Sequence, residues 1–232
     1  MKCIFYGCAL SRLRFALRAL TIATMLFPLC VQASPVTGHI RFSGRSSSVV
    51  LPTIVYAESL DGTRPQGQRF KMAQKNKTFV PHVLAIPVGS TIAFPNDDSI
   101  FHNVFSLSRP APFDLGLYRE GASKSVTFSS PGVYWVFCNI HPQMSSIILV
   151  VPTSYITEAD AHGNYRLELP PGRYRVTAWS ERADPASVEL NVSAGAMNAS
   201  DILLDESKFV DTLHKNKFGQ DYPKSAYDPK KN

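Results

Sequence analysis

Cysteine is almost missing from the body of this 232-residue chain. Of its four cysteines, Cys3, Cys8 and Cys30 lie within the first 30 residues and only Cys138 follows. A disulfide framework is therefore excluded for the remainder. Helical periodicity is absent between residues 34 and 205, which excludes a helix bundle or an α/β fold there. Excess charge is scarce too. The formal charge is +6, but Lys2, Arg12, Arg14 and Arg18 stand before residue 34 with no acidic partner, leaving +2 for the rest. The basic balance belongs to the N-terminal stretch, so no nucleic-acid partner is expected. No uninterrupted apolar run reaches the roughly 20 residues that a membrane span needs.

What is present begins with that stretch. Four basic residues precede an apolar run from Ala19 to Val31, and Val31-Gln32-Ala33 supplies small residues before Ser34. This pattern predicts a secretory signal peptide over residues 1–33, cleaved after Ala33, and hence an exported protein with no span in its mature form. Beyond it, 16 of the chain's 17 prolines and 12 of its 13 glycines punctuate short β-branched runs. Strand signals recur at intervals of roughly 8–12 residues, which predicts an all-β sandwich or barrel. Residues 109–123 read as long and irregular. Residues 206–232 lose hydrophobic density and read as a flexible tail whose aromatic anchors, Phe209, Phe218 and Tyr222, can dock on a partner or on the body of the protein.

Cleavage leaves Cys138 as the only thiol, and a lone exposed thiol in an exported chain is an oxidation liability. Two explanations survive: burial as an inert residue, or use as a ligand. The surrounding run, Val133-Tyr134-Trp135-Val136-Phe137-Cys138-Asn139-Ile140-His141-Pro142-Gln143-Met144, favours ligation. Alternation places Val133, Trp135 and Phe137 on one face and Tyr134, Val136 and Cys138 on the other. Three-residue steps then let a tight loop return His141 and Met144 towards the thiol. Thiolate, imidazole and thioether form a soft donor set that suits copper better than magnesium, and the thioether argues against zinc. Core packing is the plain alternative for Met144. His102, at the start of a strand-like run, is the best candidate for a second imidazole. Asn103 beside it offers a backbone or amide group to the sulfur. His82 is either a group supporting the site or a strand histidine beside Pro81, and the latter is the simpler reading. His39, His162 and His214 read as solvent-facing.

Several runs resemble the cupredoxin family of plastocyanin, pseudoazurin and amicyanin. They are Phe79-x-Pro81, Gly89-Ser90-Thr91-Ile92-Ala93-Phe94-x-Asn96-x-Asp98, His102-Asn103-Val104, Pro131-Gly132-x-Tyr134 and Cys138-x-x-His141-x-x-Met144. The run from Phe79 to Tyr118 is further similar to exported bacterial methylamine-utilisation or plastocyanin-like proteins. The resemblance covers about residues 68–152 and implies a Greek-key sandwich holding one type 1 copper ion through His102, Cys138, His141 and Met144. It also implies a redox partner that docks near His141, the usual electron exit in the family. The role expected is that of a periplasmic one-electron carrier rather than an enzyme; a non-redox copper-binding, delivery or sensing module is the alternative.

Asp160-Ala161-His162-Gly163-Asn164-Tyr165-Arg166-Leu167 and Leu169-Pro170-Pro171-Gly172-Arg173-Tyr174-Arg175-Val176 resemble a second family, the carboxypeptidase regulatory-like, transthyretin-like sandwich. No paired acids, nucleophile with base or metal-ligand cluster lies there, so no catalysis is expected of it. Its first strands are expected at 34–61 and the remainder at 153–205, with the cupredoxin module inserted as 62–152. The competing layout is one enlarged cupredoxin over 36–152.

Overall fold

Short alternating runs separated by Gly, Pro and Asn turns can bury one face each only by stacking sheets. The computed structural model describes residues 32–44, 51–62, 64–210 and 214–222. Through residue 31 the expected leader lies outside the described residues. Among those described there is no helix, and none is long and apolar enough to cross a membrane. The chain is all-β.

The strands are β1 (Ser34–Ser43), β2 (Thr53–Ser59), β3 (Arg69–Lys71), β4 (Ala73–Lys75), β5 (Thr78–Val80) and β6 (Val83–Pro87). There follow β7 (Ser90–Pro95), β8 (His102–Ser106), β9 (Phe113–Tyr118), β10 (Ser123–Phe128), β11 (Gly132–Phe137) and β12 (Ser145–Val151). The last six are β13 (Ile156–Glu158), β14 (Asn164–Leu169), β15 (Gly172–Ser180), β16 (Ala183–Val192), β17 (Met197–Asn198) and β18 (Ile202–Asp205).

Sixteen of these strands build four stacked layers, and β4 pairs with β5 in a separate hairpin. A sheet ordered β10-β7-β3 faces a five-stranded sheet ordered β6-β12-β11-β8-β9. Between them lies a core that includes Ile92, Phe94 and Phe128 from one side and Val104, Tyr134, Val136 and Ile148 from the other. The third layer is β13-β2-β15-β16, and the fourth is built on β1, which pairs with β14, β17 and β18. Val55, Ala57 and Val176 pack there against Val36, Ile40, Leu167 and Leu204.

Alternation explains how the middle sheets serve two cores at once. Along β12, Ile148 and Val150 enter the first core, whereas Ile147, Leu149 and Val151 point the other way and meet Ile54 of β2 and Trp179 of β15. Ile54, Ile147, Leu149, Val151 and Trp179 are buried and apolar where the second and third layers meet. Each buried aliphatic side chain contributes about 1.5–3 kcal/mol, so this contact holds the two sandwiches together without any metal.

Strands β1 and β2 form their ladders with β13, β14, β15, β17 and β18, while β3 to β12 lie between them in the chain. One element differs from expectation. Within the stretch read as irregular, β9 pairs with β8 at the sheet edge. Its Phe113-x-Leu115-x-Leu117 alternation was the available signal, masked by Pro110 and Pro112 and by the half-exposure usual in an edge strand.

Candidate metal centre

Strand β11 ends at Phe137, and Cys138 continues its alternation into the first core, where it is fully buried. The loop that follows closes on itself. The Cys138 N–H donates to the Met144 carbonyl at 3.2 Å, and the Met144 N–H donates to the His141 carbonyl at 2.9 Å. Strand β8 brings His102 to the same end of the sandwich through its ladder with β11.

The result is a cluster of two imidazoles and one thiol. His102 Nδ1 and His141 Nδ1 stand 3.1 Å apart, and Cys138 Sγ lies 3.8 Å and 3.7 Å from them. An ion bonded to ring nitrogens at about 2.0–2.1 Å and to a thiolate at about 2.3 Å separates its donors by about 3.3–3.8 Å. The cluster therefore has the size of one coordination sphere, and these three residues are the metal-sized group of His, Cys, Asp and Glu side chains among the described residues. Met144 is fully buried in the same core as Cys138.

Each donor is oriented by its neighbours. His102 Nε2 donates to Asp98 Oδ2 at 2.8 Å, which leaves the Nδ1 lone pair for the centre of the cluster. Asp98 is itself held by the N–H groups of Asn76 at 2.6 Å and Lys77 at 2.9 Å. Those two residues make the β4–β5 turn in the left-handed region, at φ 54° and 55°, so both amides converge on one carboxylate. Burial opposes the charge on Asp98, but these donors and His102 outweigh it and hold the carboxyl below its usual range.

The thiol is treated similarly. Burial pushes Cys138 up, while the N–H groups of Asn103, Ile140 and His141 favour the thiolate. Asn103 N–H lies 3.5 Å from the sulfur. The Asn103 side chain does other work: its Oδ1 accepts from Asn139 N–H at 3.4 Å and its Nδ2 donates to Asp114 at 2.7 Å. Burial, then His102 and Lys77, lowers His141 and so favours its neutral ring, against a smaller opposing pull from Asp98.

The structure thus brings together His102, Cys138 and His141, with Asn103 against the sulfur. It does not bring in His82, whose Nε2 pairs with Glu181 Oε2 at 2.9 Å. Nor is His214 solvent-facing as expected. Its ring stacks on Phe137 with centroids 4.0 Å apart, and its Nε2 meets the Pro142 carbonyl. His39 also has a partner, the His162 carbonyl at 3.0 Å. Asp98 and Asp114, which sequence reasoning gave no role, complete the surroundings of the site. Phe101 and Ile140, each one residue before a clustered histidine, are 53% and 46% exposed.

Parts of the chain are similar to solved structures. A Cu-containing nitrite reductase from Thermus scotoductus SA-01 aligns at 32% identity and TM-score 0.35, covering 36% of this chain and 22% of that one. A purple cupredoxin from Nitrosopumilus maritimus aligns at 26% identity and TM-score 0.31, over 37% of this chain and all (100%) of that one. A Cu(I) amicyanin mutant aligns at 19% identity and TM-score 0.34, over 41% of this chain and 99% of that one. The chain spans under a quarter of the reductase. No protein-family model and no curated protein matches the sequence.

Proposed function

We propose that His102, Cys138 and His141, with Met144 as the weak fourth donor, hold one type 1 copper ion, and that the protein is a one-electron carrier of the bacterial periplasm. The observation that carries this reading is the convergence of two Nδ1 atoms and the single buried thiol of the described residues at coordination distances. Zinc would accept the same two imidazoles and thiolate, but a soft thioether as fourth donor, from Met144 of the same core, favours copper.

When bound, copper supplies the one-electron couple. The chain's own residues do the rest. The Asp98–His102 contact and the Cys138–Met144 loop hold the donors in place, so little rearrangement accompanies a change of charge. Burial of Cys138 and Met144 keeps water from the donors. The exposed Phe101 and Ile140 beside His102 and His141 offer an apolar rim on which a redox partner docks. The module from β3 to β12 is carried as an insert in a regulatory-like sandwich, which itself is assigned no catalytic role.

Adding Cu(II) to the purified metal-free protein tests the reading. An intense visible thiolate-to-copper band is expected, and Cys138→Ser abolishes it. A colourless protein that retains zinc overturns the assignment. Rapid electron self-exchange in the loaded protein supports a carrier; slow exchange points to copper storage or delivery instead.

A further inference from the structure

Residues 214–222 run across the outside of the Cys138–Met144 loop and grip it on both sides of His141. Before the histidine, three groups of Asn139 are engaged. Its N–H donates to Asn103 Oδ1 at 3.4 Å, its Oδ1 accepts from Lys217 N–H at 3.1 Å, and its carbonyl accepts from Tyr222 OH at 3.2 Å. After the histidine, the Pro142 carbonyl meets His214 Nε2. The His214 ring lies flat on Phe137, the last residue of β11, at an interplanar angle of 17°, and Tyr222 closes edge-on against it at 5.4 Å.

A second line of contact reaches the sulfur from the same segment. Lys217 Nζ donates to Asp114 Oδ2 at 2.8 Å, and Asp114 Oδ1 accepts from Asn103 Nδ2 at 2.7 Å. Asn103 is the residue whose N–H faces Cys138 Sγ. The segment, Asp114, Asn103 and the ligand loop are therefore one hydrogen-bonded body.

We propose that residues 214–222 are a positioning part of the metal centre, a C-terminal strap that holds the ligand loop closed over Cys138 and fixes the backbone carrying His141. Loops of seven residues open locally at low cost unless their backbone groups are tied down. Here the strap ties Asn139 and Pro142 from outside while β8 and β11 hold the loop from within. The inference rests on the reading of the cluster as a metal site for its consequence, but its contacts with the loop do not depend on metal.

The test compares the full chain with a chain ending at Val210 and with His214→Ala/Tyr222→Phe and His214→Phe in the full-length protein. In metal-free protein, a thiol reagent reports opening over Cys138. Truncation is expected to speed labelling by about tenfold or more, and the double variant by a smaller factor. His214→Phe, which keeps the stack on Phe137, stays nearer the full chain. In copper-loaded protein, the thiolate-to-copper band shifts on truncation and copper passes faster to a chelator. Labelling within about twofold of the full chain in both the truncated and double-variant proteins overturns the strap. Faster labelling in a protein that takes up no copper keeps the strap and overturns the copper reading. Should the shortened chain not fold, the full-length variants decide by the same criterion.

Discussion

Asp98 accepts from three donors at once: the backbone amides of Asn76 and Lys77 and the Nε2–H of His102. The ring is thus held in one tautomer by a carboxylate that is fixed by a turn more than twenty residues away. Asp98→Asn keeps the shape but turns an amide NH2 towards groups that are themselves donors, so at least one contact is lost. Copper affinity is expected to fall by about 10–100-fold, measured by competition with a chelator of known strength. The metal-free protein should keep its fold. The members of the cluster were legible at this scale because Cys138 and His141 share one loop, and His102 opens a recognisable strand. Asp98 and Asp114 were not assigned roles, because hydrogen-bond partners at separations of 22 and 103 residues leave no local pattern.

Along single elements, the period-two alternation of Val133 to Cys138 predicted which side chains share a core, and Tyr134, Val136 and Cys138 do lie together in the first core. Strand β9 escaped because edge strands bury one face incompletely. The turns carry constraints of their own. Gly163 sits at φ +88°, and a Cβ there would stand 2.5 Å from the Ile40 carbonyl, a backbone atom that cannot swing aside. Its own carbonyl accepts from Ile40 N–H at 2.8 Å, tying the Asp160–Asn164 turn to β1. Gly163→Ala combines left-handed strain with a backbone clash, and is expected to destabilise by more than about 2 kcal/mol. Chemical denaturation measures the loss. Because β1 and β14 lie two layers from the cluster, the thiolate-to-copper band of the folded variant should be unchanged.

Across the whole molecule, the two sandwiches meet through the apolar contact of Ile54, Ile147, Leu149 and Trp179, and one ionisable pair closes its margin. His82 precedes β6, Glu181 follows β15, and their side chains meet at 2.9 Å with relative exposures of 40% and 16%. The hydrogen bond to Glu181 raises the His82 pKa, burial works against it, and the Glu181 charge and the Ser145 backbone add to the rise. A group whose folded pKa exceeds its unfolded value stabilises fully below the latter, about 6.5 for histidine, and loses that contribution as pH rises through the folded value. The pair therefore strengthens the inter-sandwich contact in mildly acidic solution and weakens towards alkaline pH. Partial exposure and solvent screening keep the effect below about 1 kcal/mol. Thermal midpoints of wild type and His82→Gln, taken from pH 5.5 to 8.5 at fixed ionic strength, isolate it as the difference between the two proteins. The wild-type advantage should be largest at the acidic end, shrink as the ring loses its proton, and diminish further in high salt. An advantage that grows with pH would mean that His82 is held neutral, and that the apolar layer alone joins the two halves of the stack.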